Sequence, residues 1–189
     1  QMLPMGGMMH MEFGKVSEID YSNFPMAIVN EYQLSSNGIH GIGINTDGDE
    51  VYALSYTADW LYKIIAPTGT IIGTPMDVSV NNPPNTETHR LKPIECVYVN
   101  DSLLFVTCSA GLWLNPFTGI QDTIPGQVQL WATNTMSLID TLQFSWKANP
   151  WHIVQSPINE QVYVSLAGDN LYPGSAGVAS LSYESGNMS

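Results

Sequence analysis

Basic side chains are nearly missing from this chain. Five Lys and Arg face 17 Asp and Glu, for a formal net charge of -12, and charged residues make up only 12% of the sequence. Nucleic-acid binding is thereby excluded, because phosphate neutralisation by Lys and Arg supplies most non-specific affinity and the whole field here opposes it. Docking on an anionic membrane surface is disfavoured on the same ground. Long apolar runs are missing too: none approaches the ~18 residues of a transmembrane helix, so no membrane span is expected. Cysteine occurs only at Cys96 and Cys108, in neither a CxxC nor a CxxCH pattern, so these residues hold no covalent c-type haem site. No GxSxG or other nucleophile motif is present, and helical periodicity appears nowhere. Gln1 begins no signal peptide, so the leader of an exported protein is expected to have been removed or to lie outside this chain.

What remains is apolar and turn-rich, with 44% hydrophobic residues, 16 Gly and 12 Pro among 189 positions. A surface with so few charges must be solvated by Ser, Thr, Asn and Gln, which suits a secreted or periplasmic all-β protein long enough for one stable core. Three stretches repeat one pattern: His40-Gly41-Ile42-Gly43-Ile44-Asn45 through Val51-Tyr52-Ala53-Leu54-Ser55, Pro93-Ile94-Glu95-Cys96 through Leu104-Phe105-Val106-Thr107-Cys108, and Trp151-His152-Ile153-Val154-Gln155-Ser156 through Val162-Tyr163-Val164-Ser165-Leu166. The first and third align without a gap, His40 on Trp151 and Val51 on Val162. Each copy reads as the two inner strands of a four-stranded antiparallel blade, with β-branched and aromatic strands bounded by Asp, Gly, Pro and Thr turns.

The predicted fold class is therefore an all-β, incomplete β-propeller of about seven blades when closed. Residues 1–13 read as a Met-rich loop or linker and 14–189 as the partial propeller: the third and outer strands of one blade at 14–34, a blade at 40–74, a blade at 93–144 and a partial blade at 150–185. An arc of this kind would leave open edges, so the residues are expected to be an excerpt of a longer chain or to be completed by a partner. Blade two carries an insertion, Gly111 to Gly126, with Leu112, Trp113, Leu114 and Phe117 in it. Long apolar loops in compact domains are uncommon and often functional. With Asn100-Asp101 as a hairpin turn, Cys96 is predicted opposite Phe105 and Cys108 on the other face, which favours two buried free thiols over a bridge unless a bulge resets the register.

Val51-Tyr52-Ala53-Leu54, Leu104-Phe105-Val106-Thr107 and Val162-Tyr163-Val164-Ser165 resemble the second-strand signature of YVTN-type β-propeller repeats, and Val128 to Leu142 resembles their third and fourth strands. At about 55 residues per blade the chain departs from the ~40–45 of compact repeats, the excess lying in loops. The resemblance implies the architecture and leaves the activity open: similar blades occur in surface and adhesion proteins, in lactonases, and in haem- and copper-containing reductases.

Two sets of residues could carry metal chemistry. Met5, Met8, Met9, His10 and Met11, with Met2, offer soft thioether and imidazole ligands suited to Cu(I), against a bland reading as flexible packing. His40, His89 and His152 all fall at connections into inner strands, although His152 is one position out of register with His40 and would face another way. Asp47, Asp49 and Glu50 read as a turn, because a calcium loop needs a longer donor series. Most Trp and Tyr, including Trp151, read as inter-blade core. Trp113 and Phe117, with Leu112 and Leu114, are the candidate partner anchors. The expected function is a non-catalytic protein-interaction or cell-surface assembly module, exported to the periplasm or beyond the cell, with a protein partner or the remaining blades as its contacts and no cofactor. The alternative is a redox metalloprotein using copper, or haem on a neighbouring segment.

Overall fold

Alternating apolar residues bounded by turn formers build short antiparallel strands, and the computed structural model describes them over residues 14–22, 24–79, 91–99, 102–109, 111–114, 121–168, 174–184 and 187–189. A half blade comes first, β1 (Lys15–Asp20) paired with β2 (Ala27–Gln33). Blade one follows: β3 (Ile39–Ile44), β4 (Glu50–Ser55) and β5 (Trp60–Ile65) pair in sequence, and an interrupted outer strand, β6 (Thr70–Ile71) and β7 (Met76–Asp77), pairs with opposite ends of β5. In blade two, β8 (Lys92–Val99) and β9 (Leu103–Ser109) are followed by a separate hairpin, β10 (Gly111–Leu114) and β11 (Gln121–Ile124). The sheet then resumes with β12 (Gln127–Ala132) and β13 (Ser137–Gln143). Blade three holds β14 (Pro150–Gln155), β15 (Val162–Leu166) and β16 (Gly177–Leu181). A last hairpin, β17 (Tyr183–Glu184) and β18 (Asn187–Met188), leaves this sheet, and the Met188 N–H donates to Asp140 Oδ2 of β13 at 2.7 Å.

Blades stack face to face, so a strand between two neighbours must be apolar on both sides. β4 shows this: Val51 and Ala53 join the core shared with the half blade, whereas Tyr52 and Leu54 join the core shared with blade two. A third core, around Phe105, Val128, Leu130, Val162 and Val164, joins blades two and three. Near the axis the inner strands approach backbone to backbone. A Cβ on Gly41 would lie 2.5 Å from the Ile94 carbonyl oxygen and 2.7 Å from Glu95 Cα, and one on Gly43 would lie 3.0 Å from Cys96 Sγ. The alternation in Gly41-Ile42-Gly43-Ile44 thus places its empty face against blade two and its isoleucines toward the half blade.

Polar residues tie the blades where apolar contact ends. Lys63, almost fully buried, pairs with Glu50 at 2.6 Å and donates to the Thr133 carbonyl of blade two at 3.0 Å. Tyr52 donates to the same Glu50, and burial, then that bond, pushes its phenol above the usual range. Gln129 donates to the Val78 carbonyl at 2.7 Å.

Three sequence expectations change. The insertion expected as a loop begins and ends as the β10–β11 hairpin. Tyr183, expected to end the third strand of blade three with nothing after it, starts the β17–β18 hairpin instead. The loop between β8 and β9 spans three residues rather than two, so Cys96 pairs with Val106 and not with Phe105. Cys96 and Cys108 therefore share one face and one core. They are nonetheless free thiols, because diagonal neighbours across a sheet stand about 7–8 Å apart at Cα, beyond the ~7 Å a disulfide tolerates.

Burial raises both thiol pKa values, with Glu95 adding for Cys96 and Asp59 for Cys108, so the folded chain holds both protonated. Ellman's reagent at pH 8.5 is expected to find essentially no reactive thiol in the native protein and both in denaturant. Gly41→Ala is expected to cost about 1–3 kcal/mol in urea unfolding. Gly177→Ala, where an added Cβ meets nothing within 4 Å, serves as its neutral control.

Candidate functional site

Each inner strand carries an irregularity near its start. Pairing slips between Ile39 and Gly41, between Pro93 and Glu95, and between Pro150 and Ile153. In blades two and three a residue at the slip is held alike: the Glu95 N–H donates to Thr107 Oγ1 at 3.1 Å, and the His152 N–H to Ser165 Oγ at 3.0 Å. Gly41, Glu95 and His152 are thus equivalent, as are His40, Ile94 and Trp151. A bulge of this kind re-aims side chains, here toward one end of the blades.

Register shows what else stands at that end. Lys92 opposite Ser109 and Gln127 opposite Cys108 put both roots of the β10–β11 hairpin there, and the turn after β4, with Tyr56 and Asp59, lies there as well. The inner strands begin at this end, which makes it the mouth of the axis they surround.

At the mouth, His40 Nδ1 lies 3.1 Å from the Ile94 carbonyl oxygen, and His152 Nδ1 lies 3.0 Å from Glu95 Oε2. Both partners only accept, so each Nδ1 carries a proton there and donates it. Trp151 packs edge to face with both imidazoles, with ring centres 6.1 and 6.5 Å away, and Tyr56 lies 6.0 Å from His40. Lys92 sits over the Tyr56 ring at 5.6 Å and binds the buried Asp59 at 2.7 Å. Glu95 Oε2 also accepts the Ile153 N–H at 3.0 Å, and Thr107 Oγ1 bonds to the Trp151 carbonyl at 2.6 Å, so blades two and three are joined beneath the row. Tyr56, at 40% exposed, and the His152 side chain, at 66%, are open to solvent.

The structure brings His40 and His152 to one mouth, each on a different partner. Among the described residues no group of three or more His, Cys, Asp and Glu could hold a metal ion. His89, Phe117 and the Met5, Met8, Met9, His10, Met11 segment lie outside the described residues. Leu112, Trp113 and Leu114 lie on β10, whose backbone pairing alone is described, with Trp113 opposite Asp122. Sequence reading missed Glu95 and placed Trp151 in the core. The gapless alignment of His40 with Trp151 was the signal that could have found the row, since it equates an exposed imidazole with the indole.

Four-stranded antiparallel blades arranged about a common axis define a β-propeller, and this chain forms part of one. Solved structures agree on the fold. The chain is similar to a chain of the mitotic checkpoint complex (TM-score 0.62, 13% identity, covering 93% of this chain and 44% of that one). It is similar to the WD40 domain of Toxoplasma gondii coronin (0.56, 11%, 84% and 35%) and to a gluconolactonase from Xanthomonas campestris (0.55, 13%, 86% and 49%). The chain therefore spans about a third to a half of the length of these structures. No protein-family model and no curated protein matches it.

Lys63→Met is expected to destabilise the chain by about 3 kcal/mol in urea unfolding, because it removes the counter-charge of Glu50 and the donor to the Thr133 carbonyl, whereas Lys15→Met at the exposed pair with Glu31 is expected to cost under about 1 kcal/mol.

Proposed function

We propose that this chain is part of an exported, YVTN-like β-propeller that works without catalysis, as a protein-interaction or cell-surface assembly module. The observation that carries the reading is the gathering of the inserted hairpin and the aromatic and imidazole row at one end of the blades, on residues from three blades at once. Binding surfaces are built this way, from anchors on loops held by a rigid scaffold. The mitotic checkpoint likeness is in keeping with a role in an assembly.

The remaining blades are a second set of contacts. Ile42 and Ile44 stay 47% and 55% exposed, and with Val16, Tyr32, Val51 and Ala66 they line a groove of about 220 Å³ beside β1. Among the described residues β1 pairs with β2 alone, so its free edge suits the inner strands of the blade it belongs to.

Trp113→Ala with Phe117→Ala is expected to weaken association with the native partner at least about tenfold, with thermal stability nearly unchanged. An equal loss of stability would make these rings core instead of contacts. Elemental analysis tests the rival class: copper or iron at about one equivalent would overturn the non-catalytic reading in favour of a redox metalloprotein, with Met5, Met8, Met9, His10 and Met11, or His40, His89 and His152, as first suspects.

A further inference from the structure

We propose that the row Tyr56, His40, Trp151 and His152 is the docking site for a basic segment of a protein partner, one that lays a lysine or arginine side chain across the mouth. The inference deepens the binding-module reading and rests on it.

The first argument is the proton inventory. Both imidazoles have spent their Nδ1–H on carbonyl and carboxylate oxygens, so neither of those donors is left for an anionic ligand. A guanidinium brings five donors and no acceptor, an ammonium three. Glu95 supplies the acceptor: Oε2 is engaged twice, whereas Oε1 has no partner among the described residues. An anionic ligand would meet the Glu95 carboxylate and the field of a chain with net charge -12.

Second, the fold already places an ammonium on this row. Lys92 lies 5.6 Å over Tyr56, anchored by Asp59, which is the geometry an incoming cation would adopt on the neighbouring indole.

Third, the chain cannot supply that cation from its own described residues. Lys15 pairs with Glu31, Lys63 with Glu50 and Lys92 with Asp59, while Lys147 lies over Trp146 at 5.3 Å. A protein segment carrying Lys or Arg supplies both the charge and the flat or extended group that stacks on an indole.

The test is a titration of the full chain followed by tryptophan fluorescence and calorimetry, with octa-arginine as the probe and octa-glutamate and cellohexaose as comparators. Saturable one-to-one binding of octa-arginine is expected, weakened by salt and weakened about tenfold by Trp151→Leu. His40→Ala, at an exposed position, is the second variant should Trp151→Leu lower the melting temperature. Asp47→Asn with Asp49→Asn, which removes two charges from the opposite end of blade one, is expected to change binding less than about twofold. Equal losses from the mouth and far-end variants would overturn the proposal in favour of diffuse acidic attraction. Salt-independent binding of cellohexaose in place of the peptide would overturn it in favour of a carbohydrate site, and absence of peptide binding would overturn it outright. In that last case a retained effect of the Trp113 and Phe117 double variant on the native partner would leave the module reading standing, so the two can fail separately.

Discussion

Everything in this structure depends on inner strands meeting backbone to backbone near the axis. At Gly41 the next blade stands where a Cβ would be, and this proximity makes an inter-blade hydrogen bond from a side chain to a neighbouring main chain feasible. His40 reaches the Ile94 carbonyl and Thr107 the Trp151 carbonyl because those carbonyls belong to the irregular positions of the next blade, where the ladder leaves them available. One geometric requirement therefore produces the glycine alternation, the bulged strand starts and the row of rings at the mouth.

Charge is used sparingly and with location. Of four described lysines, Lys63 and Lys92 lie between blades one and two, each bound to a carboxylate and each near a tyrosine ring. A buried ion pair gives little net stability over apolar packing, but removing one partner is costly. The hydroxyls of Thr107 and Ser165 do comparable work without charge, by satisfying the N–H that each bulge frees.

Much of this was legible in the residues. The third and outer strands of the half blade, the two inner strands of each blade and the third strands fall within one or two residues of their predicted spans, because alternation, β-branched content and turn residues all point the same way. The cysteine register was misread by one position. Asn100-Asp101 looks like a two-residue turn, and loop length is not fixed by composition, so one additional residue moved Cys108 to the face of Cys96. Trp151 was read as core because an aromatic on a strand usually is, and nothing local announces a bulge.

The sequence by itself determined the strands, their order and the repeat, since these follow from local periodicity and turn chemistry that each segment carries alone. It also determined the charge balance that bounds the partners. Only the tertiary structure decided which residues meet at the mouth. Tyr56 and His40, Glu95, and Trp151 and His152 lie far apart in the chain on three blades, and their juxtaposition depends on blade stacking and on one-residue slips in pairing, neither of which a linear pattern specifies.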